Sequence, residues 1–465
     1  MEKFDLTVIG SGPGGYIAAF RASQLGMRVA LVERKELGGL CLNLGCIPSK
    51  AILKSAEVFA MMKNASKYGL SAENVSVDYG KVVERSRKVA ARLSRGVEFL
   101  VKKNKVTAFS GTARLTGPTR LVVERPADAG GNCEIESARV ILATGTEPRS
   151  LSGLDADGKT IMNSDQAILS RERPASVAVI GGGAVGVEFA YWYNAFGSKV
   201  TIIELMEQLL PNTDREIADQ LRKSLTRQGI SVLTSAKVRA SSKREGKVAM
   251  EVELAGEKRA VDAELVLVAV GRSAVVKELG LDEAGVELKN GYISVDEQYR
   301  TSCLSIYAIG DVIGPPLLAH AASAEGVAAV EMMTGKGRGP VDPWKIPSCI
   351  YCQPEVATIG LSEQDAEAKG ISVKVGRFPF RASGRAIASG DEEGIVKIIA
   401  DEKYGEILGA HMIGKGVTEL IAEIGLGQTV EATSRDLHST IHAHPTLAEA
   451  IGEAALDLDK LTLNI

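Results

Sequence analysis

Two glycine-rich loops, each between a strand-like and a helix-like segment, constrain the fold of this 465-residue chain more than any other feature. The first copy reads KFDLTVIG, SGPGG, YIAAFRASQLG and MRVALVE, and residues 175–204 repeat the order as ASVAVIG, GGAVG, VEFAYWYNAFG and SKVTIIE. Strand, glycine loop, helix and strand are the parts of a dinucleotide-binding βαβ unit. Two copies about 170 residues apart therefore predict two such domains rather than one.

Both loops carry the G-x-G-x-x-G spacing and an acidic residue at the end of the second strand. The positions are Gly10, Gly12, Gly15 and Glu33, and then Gly181, Gly183, Gly186 and Glu204. The first glycine makes the turn, the second lets backbone N–H groups approach a pyrophosphate, and the third permits close helix–strand packing. The acid can accept from a ribose hydroxyl, and at Glu204 it would repel a 2′-phosphate, which favours NAD over NADP. A tight turn without a ligand is the alternative for one loop, but two copies with the acid in register argue against it.

Cys41 and Cys46 lie in GGLCLNLGCIPSK, ahead of a helical run from Lys50 to Lys63. Their spacing is neither C-x-x-C nor a zinc pattern, and no second Cys or His pair is near them in the sequence to complete four ligands. A position near a helix start favours the thiolate that redox chemistry needs. Spacing alone leaves open whether this is a redox pair or two small buried residues. Six cysteines in a chain of this length do not indicate a secreted disulfide scaffold, so a reducing, cytoplasmic location is expected.

The segment HAHPTLAEA places His442 and His444 close together, with Glu449 five residues after the second histidine. A histidine beside a carboxylate can act as a general acid or base near neutral pH. A surface pair, or a weak metal site with only two ligands, fits the same pattern.

Several neighbours of the cysteines, Asn43, Gly45 and IPSK at 47–50, carry a family resemblance. With them the segment resembles the redox-active disulfide of the pyridine nucleotide–disulfide oxidoreductases, in the form of the branch that oxidises dihydrolipoamide. The similarity covers essentially the whole chain. It implies an α/β fold with two Rossmann-like dinucleotide-binding domains of three-layer β/β/α type and a C-terminal α+β dimerisation domain. It also implies FAD and NAD as cofactors, and no metal.

The resemblance assigns catalytic roles that the residues alone do not. Cys41 would exchange with the substrate, and Cys46 would contact the flavin as a charge-transfer thiolate. Lys50 would lie near the reactive edge of the flavin, paired with Glu188. His444 would be the acid/base, oriented by Glu449 and delivered by the partner subunit, so the active site would exist only in a homodimer.

The resemblance also assigns cofactor contacts and shows departures from common family forms. On the flavin side it implies Ala113, Thr144, Gly145, Asp311, Leu318, Ala319 and His320, and on the nicotinamide side Val238 and Gly271. Ala184 stands where other members carry a larger Ile or Tyr over the nicotinamide pocket. Ser273-Ala274-Val275 stands where Arg-Pro-Asn is usual, and Leu40 and Gln353 replace a Thr and a His.

The domain boundaries expected from these patterns are 1–147 for the first part of the FAD domain and 148–272 for the NAD domain. A central segment, 273–345, returns to the FAD domain, and 346–465 forms the interface domain after a linker near 335–347. Helical spacing is expected over 81–101 and 418–430, and alternating, antiparallel-like strands over 106–142 and 231–268, broken at Gly117-Pro118 and at 241–246. Shorter strands are expected at 373–380 and 394–400.

Composition bounds the function. The net charge, 55 − 58 = −3, predicts no general affinity for nucleic acid or membrane, and no apolar run approaches the roughly 18 residues of a membrane span. The expected partners are lipoyl-bearing proteins of 2-oxoacid dehydrogenase complexes or of the glycine cleavage system. Within the class, a mercuric reductase would need a vicinal cysteine pair that LTLNI at the end does not supply. A glutathione reductase would want arginines after Glu204, and an NADH oxidase would not need the cysteines and His444 together. A flavin-binding scaffold without catalysis is the alternative from another class.

Overall fold

The computed structural model describes residues 1–125, 130–244 and 246–464 of the chain. These residues form two compact units. The first unit comprises Met1–Ala51, Lys81–Arg149 and Arg272–Val341, and the second comprises Ile52–Gly80, Ser150–Gly271 and Asp342–Ile465. Each unit contains one of the two glycine loops.

The chain up to residue 148 contains four helices and seven strands among its described residues. In order they are β1 (Glu2–Ile9), α1 (Pro13–Gln24), β2 (Val29–Glu33), α2 (Gly39–Asn43), α3 (Cys46–Lys63), α4 (Tyr79–Lys103), β3 (Thr107–Ser110), β4 (Thr112–Gly117), β5 (Arg120–Glu124), β6 (Cys133–Leu142) and β7 (Thr146–Pro148).

The middle of the chain repeats the βαβ order and then returns to the first unit. Its elements are β8 (Ile161–Asn163), α5 (Ser164–Ala167), β9 (Ser176–Ile180), α6 (Ala184–Ala195), β10 (Lys199–Ile203), α7 (Arg215–Arg227), β11 (Ser231–Leu233), β12 (Ala236–Arg244), β13 (Lys247–Leu254), β14 (Glu257–Ala263), β15 (Leu265–Val268), β16 (Arg272–Ala274), β17 (Leu288–Lys289), β18 (Tyr292–Ile293), β19 (Ile306–Ala308) and α8 (Ala319–Met333).

The last part of the chain mixes strands and helices. It contains β20 (Ser348–Ile350), β21 (Glu355–Gly360), α9 (Glu363–Lys369), β22 (Val373–Pro379), α10 (Gly384–Ser389), β23 (Ile395–Asp401), β24 (Ile407–Gly414), α11 (Val417–Thr429), α12 (Ser434–Ser439) and α13 (Glu449–Asp457).

The first unit is built on a sheet with the order β3-β2-β1-β6-β5-β4, with β19 also paired to β6. β1 is parallel to both β2 and β6, whereas β4, β5 and β6 form an antiparallel meander. Both faces of β1 are buried, as expected for a central parallel strand. Leu6 and Val8 pack with residues of α1, α4 and α8, while Phe4 and Ile9 pack with residues of the meander. The unit is therefore a three-layer β/β/α domain.

The second unit repeats this plan with a parallel sheet of order β11-β10-β9-β15-β8. A separate antiparallel sheet, β12-β13-β14, packs through Val248, Met250 and Val252 on the parallel sheet. The same unit contains a five-stranded antiparallel sheet of order β20-β21-β24-β23-β22. Helices α11 and α13 share one core with that sheet. The predicted fold class is confirmed in all three parts.

Most predicted elements are present, with four corrections. The helix after the cysteines begins at Cys46 rather than Lys50. On α4, Val97 and Val101 are buried as the helical spacing predicts, but Leu93 of the same pattern is exposed, and Val83 and Ala90 are buried as well. β12 continues through the polar stretch to Arg244. The strands over 106–142 and 231–268 are not all antiparallel, because β3, β11 and β15 pair in parallel with strands of the βαβ units.

Candidate active site

The first glycine loop joins β1 to α1 in a conformation that depends on its glycines. Gly10 has φ +100°, and a Cβ there would collide with the carbonyl group of Ala143. A Cβ on Gly15 would collide with the carbonyl oxygen of Gly10. Gly12, the N-cap of α1, has no atom within 4 Å of the position its Cβ would take. The loop is therefore tightly packed behind and open in front of the helix N-terminus.

The second glycine loop repeats this geometry between β9 and α6. Gly181 has φ +107° with its Cβ position against the Ala269 carbonyl, and a Cβ on Gly186 would collide with the Gly181 carbonyl. Gly183 caps α6 and again faces open space. A helix N-terminus with space in front of it and backbone N–H groups turned outward suits a pyrophosphate. Both loops therefore fit the phosphates of a dinucleotide.

The two acidic residues are fixed by the loops that they follow. Glu33 accepts hydrogen bonds from the N–H and Oγ of Ser11, at 2.9 and 2.7 Å. Glu204 accepts from the N–H of Gly182 at 2.5 Å and from that of Met206 at 2.7 Å. A carboxylate offers about four acceptor positions, so each acid can still accept from a ribose hydroxyl. The main chain thus orients both acids at the place where sequence predicted a ribose contact.

The predicted flavin contact Asp311 lies in a polar cluster just after β19. Its Oδ2 accepts from Thr146 Oγ1 at 2.8 Å, and Thr146 Oγ1 in turn accepts from Arg272 Nε at 2.8 Å. Burial raises the pKa of Asp311, although the Thr146 hydrogen bond and the Arg272 charge oppose that effect. A half-buried acceptor held by neighbouring donors suits a polyol chain.

A second buried acid, Glu325 of α8, lies beside the same cluster. Its Oε2 accepts from the N–H of Gly310 at 2.7 Å, and burial raises its pKa. Asp311 was predicted from the family resemblance. Glu325 and Thr146 were not predicted, because nothing in the sequence shows that a polar residue of a helix or short strand is buried next to Asp311.

The other predicted cofactor positions are distributed over both units. In the first unit, Ala113 is buried in β4, and Thr144 Oγ1 donates to the Val275 carbonyl at 2.7 Å. Gly145 has φ +69°. The remaining predicted flavin positions open α8, with Leu318 as its N-cap followed by Ala319 and His320. In the second unit, Val238 lies in β12, and Gly271, at φ +110°, follows β15.

The segment that carries the cysteine pair contacts the first glycine loop. A disulfide joins Cys41, in α2, to Cys46, the first residue of α3, with Cα atoms 4.7 Å apart. The N–H of Gly38 donates to the Ser11 carbonyl at 3.1 Å, and a Cβ on Gly39 would collide with Gly12. The redox segment, which we define as residues 37–51, is therefore fixed directly beside the loop that fits a flavin pyrophosphate.

Lys50 and Glu188, which were predicted to pair, are both partly or fully buried. Lys50 lies four residues into α3 and is half-buried. Glu188 is buried in α6 and accepts from the N–H of Tyr351 at 3.0 Å. Their mutual pairing stays a prediction.

The two C-terminal histidines have different environments. His442 is nearly buried, and its Nε2 lies 2.9 Å from Glu423 Oε1. The His444 side chain is 78% exposed, and its Nδ1 lies 2.8 Å from Oε1 of Glu449, the first residue of α13. Burial acts to raise the pKa of Glu449, but hydrogen bonds from the Thr446 N–H and from His444 oppose burial, and the pKa lies below its ordinary value. An ionised Glu449 that accepts from Nδ1–H leaves the lone pair of a neutral His444 on Nε2, as a general base requires.

The described residues contain neither a cluster of metal-ligating side chains nor a membrane-spanning helix. Within residues 1–125, 130–244 and 246–464, no group of three or more His, Cys, Asp or Glu side chains could hold a metal ion. Over the same ranges, no helix is long and apolar enough to cross a membrane.

Comparison with known proteins agrees with this geometry. Residues 4–326 match the family model described as pyridine nucleotide-disulphide oxidoreductase, and residues 346–455 match the dimerisation domain of the same family. The dihydrolipoyl dehydrogenase of Bacillus subtilis is 44% identical over 466 residues, covering 98% of each chain. That of Chlorobaculum parvum is 47% identical over 454 residues, covering 97% of this chain and 96% of the relative.

Solved structures give the same result for the fold. LpdA from Mycobacterium tuberculosis superposes with a TM-score of 0.90 at 26% identity, over 98% of this chain and 99% of that one. The Cu(II) complex of the HOCl-induced flavoprotein disulfide reductase RclA from Escherichia coli superposes with a TM-score of 0.87, also at 26% identity, over 98% and 99%.

Proposed function

We propose that this chain, which belongs to the pyridine nucleotide-disulphide oxidoreductase family, is a dihydrolipoyl dehydrogenase. It would oxidise protein-bound dihydrolipoamide to lipoamide and reduce NAD+ to NADH. The observation that carries the proposal is the Cys41–Cys46 disulfide set against the first glycine loop. Relatives named dihydrolipoyl dehydrogenase, similar over nearly the whole chain, support the choice of substrate.

The cofactors of the family, FAD and NAD, divide between the two loops. Bound FAD would supply a carrier that accepts an electron pair from the dithiol and gives it to NAD+. Gly12 would admit the FAD pyrophosphate, with Glu33 on its ribose, and Asp311 would accept from its polyol chain. Gly183 and Glu204 would do the same for NAD, and Lys50 and Glu188 would lie near the reactive part of the flavin.

The thiol chemistry follows from the disulfide and a base. His444 Nε2 takes the proton of one substrate thiol, since the thiolate is the nucleophile in disulfide exchange. The substrate sulfur bonds to Cys41 Sγ, the Cys41–Cys46 bond breaks, and Cys46 leaves as a thiolate. The second substrate thiol then displaces Cys41, its proton passes to the departing Cys41 sulfur, and the lipoamide disulfide closes. The cysteine pair retains two electrons, and His444 holds a proton that Glu449 stabilises.

The assembly that we propose is a homodimer, which the family's dimerisation domain at 346–455 supports. His444 and Glu449 would act on the cysteine pair of a second copy. The substrates would be lipoyl groups on carrier proteins of a 2-oxoacid dehydrogenase complex or the glycine cleavage system, in the cytoplasm. The domain boundaries after residues 147, 272 and 345 belong to the same proposal.

The proposal is tested with the flavin-loaded full-length protein, NAD+ and dihydrolipoamide, by following NADH absorbance. Cys46→Ser should lower turnover at least about a thousandfold, and His444→Gln about a hundredfold or more. Cys133→Ser, which alters a cysteine outside the disulfide, is the control and should leave turnover unchanged. NADPH-dependent reduction of glutathione, without activity on dihydrolipoamide and NAD+, would refute the proposal.

A further inference from the structure

Helix α4 contacts the redox segment through three side chains that donate to main-chain carbonyl groups. Ser94 Oγ donates to the Leu37 carbonyl at 2.8 Å, ahead of the disulfide. Arg85 Nη1 donates to the Ala51 carbonyl at 2.8 Å, beyond it. Arg87 Nη1 donates to the carbonyl of Asn43. These donors secure both ends and the middle of the segment from one helix.

The Arg87 contact differs from the other two because Asn43 lies inside the loop that the disulfide closes. Asn43 is two residues after Cys41 and three before Cys46. It is buried, and its Nδ2 donates to the carbonyls of Leu37 and Gly39 at 3.1 and 2.9 Å. Arg87, which is half-buried, is therefore held to the main chain at a residue that lies within three residues of both cysteines, a chain length of at most about 11 Å.

We propose that Arg87 is a positioning residue of the redox centre, which holds the loop when the disulfide opens and favours the thiolate of the reduced pair. The inference rests on the proposed function, in which Cys41 and Cys46 cycle between disulfide and dithiol. Two electrons from the substrate thiols and one proton convert the neutral disulfide into one thiol and one thiolate. The reduced state therefore gains a negative charge that the oxidised state lacks.

A fixed cation acts on only one of these states. An arginine stays charged at every working pH, so Arg87 stabilises the thiolate and leaves the neutral disulfide unaffected. Such stabilisation lowers the pKa of the thiol and makes the disulfide more readily reduced. Reduction also removes the covalent link across the loop, and the Arg87–Asn43 contact is then a constraint that remains.

Other charges near the pair are the same in wild type and in the Arg87 variants. Lys50 lies four residues after Cys46 in α3, and the positive end of the α3 dipole lies at Cys46 itself. Helix α2 has no ionisable side chain except Cys41. On α4, Lys88 pairs with Glu84 at 2.6 Å. Replacement of Arg87 therefore isolates one charge.

The test uses flavin-loaded protein carrying R87Q, R87K or the matched control R85Q. Arg85 makes the same kind of bond on the same helix, but to a carbonyl five residues beyond Cys46. Two quantities are measured. The first is the equilibrium of the cysteine pair with dithiothreitol, read by thiol labelling. The second is the pH dependence of alkylation of the reduced pair, which a merely structural role would not shift.

R87Q should make the pair about threefold to tenfold harder to reduce, where tenfold corresponds to about 30 mV for two electrons. Its thiol should be alkylated about threefold to tenfold more slowly near neutral pH. R87K and R85Q should stay within about twofold of wild type, because each keeps a cation at position 87. Equal values for R87Q and wild type in both measurements would overturn the inference.

Two further outcomes are separable. If R87Q does not load flavin, Arg87→His replaces it, and it should match wild type at acid pH and diverge as the imidazole loses its charge. If Arg87→His and wild type stay equal as the pH rises, the inference is overturned. If dithiothreitol reduces the wild-type pair but dihydrolipoamide does not, the proposed function fails, whereas the dithiothreitol series still measures the effect of Arg87.

Discussion

The two dinucleotide-binding modules share one loop geometry but differ in what covers the helix that follows. In the first, a Cβ on Gly14 of α1 would meet the Ala322 carbonyl oxygen of α8 at 2.9 Å, and Gly326 of α8 faces the Gly14 carbonyl. In the second, Val185 occupies the matching position and is 38% exposed. The first helix is thus covered by close contact of small residues, and the second is open at its N-terminus.

The second module instead has an ionic cluster, which surrounds a buried pair of Asp214 and Lys397. Asp214 caps α7 and accepts from the Lys397 ammonium of β23 at 2.9 and 3.0 Å. The Lys397 side chain is 2% exposed and also pairs with Glu363 at 2.7 Å. Arg377 links Glu363 to Glu216 of α7.

This difference indicates how one loop design can serve two kinds of ligand. A module whose helix is covered suits a cofactor that stays bound, and a module whose helix is exposed at its start suits one that enters and leaves in each cycle. Small residues allow the close approach of helices in the first module. In the second, the charged cluster links the start of α7 to β23, and Val185 at the start of α6 stays exposed.

The largest effect is expected from breaking the ionic cluster. Lys397→Met leaves the buried Asp214 carboxylate without its cation, which should destabilise the second unit by about 3–5 kcal/mol. Hydrogen exchange in β9 and β10 should show the loss. Lys403→Met, on an exposed lysine just after β23, is the control. Unchanged exchange in Lys397→Met would show that the cluster does not support the module.

The next largest effect is expected when the first module receives the residue that the second module has at the matching position. Gly14→Val should force α1 and α8 apart, destabilise the first unit by about 3 kcal/mol, and yield protein with little flavin. Flavin absorbance per chain and the melting temperature measure both losses. The reciprocal Val185→Gly should cost at most about 1 kcal/mol and retain flavin, because its site is exposed. Similar losses in both variants would remove the distinction between the modules.

A smaller effect is expected at the acid of the open loop. Glu204→Gln removes the charge that accepts from Gly182 and Met206, so the Kd of NAD+ should rise about tenfold and the preference for NADH over NADPH should fall. Isothermal titration calorimetry on flavin-loaded protein gives both values. Glu33→Gln should instead lower flavin content, and a change in NAD+ affinity there would contradict the assignment.

The smallest effect is the acid sensitivity of the second module, which appears only well below neutral pH. Burial acts to raise the pKa of Asp214, but the hydrogen bond from Lys397 opposes burial, and the pKa lies below its ordinary value. The stabilisation that Asp214 contributes is therefore complete above about pH 4, the unfolded value, and is lost as pH falls through the lowered folded pKa. The ionisable groups that face Asp214 in this cluster are Glu216, Glu363, Arg377, Lys397 and His411.

Acid titration can check this sign. Chemical denaturation at pH 3 and pH 7, followed by hydrogen exchange in each unit, should show a larger acid loss around β9 than around β1. Burial keeps the pKa of His411 below its ordinary value, so that residue adds no stabilising charge near neutral pH. An equal loss in both units would exclude a specific contribution of the cluster.

Local patterns predicted much of the fold and part of the site. Period-2 strands, glycine spacing and the acid at a fixed offset gave both βαβ units, because these features are set by residues near one another in the chain. The redox role of Cys41 and Cys46, and the roles of His444 and Glu449, came from family resemblance. The start of α3 was predicted wrongly, because this helix begins at Cys46, four residues before the predicted start at Lys50.

The contacts that sequence could not predict join residues far apart. Nothing in LSRGV or ERSRK indicates that Ser94 and Arg87 donate to carbonyls near the disulfide, and nothing near Gly310 points to Glu325. A lysine such as Lys397 is by default solvated, and only the packing of β23 against the start of α7 buries it with a carboxylate.

The sequence by itself therefore determined the two nucleotide loops and a cysteine pair five residues apart, because backbone conformation and short spacing are local properties. Only the tertiary structure decided which of the two helices after the loops is covered and which is exposed, and which charges surround the pair. Those properties depend on burial and on the approach of distant segments, whose free energies arise when the chain packs.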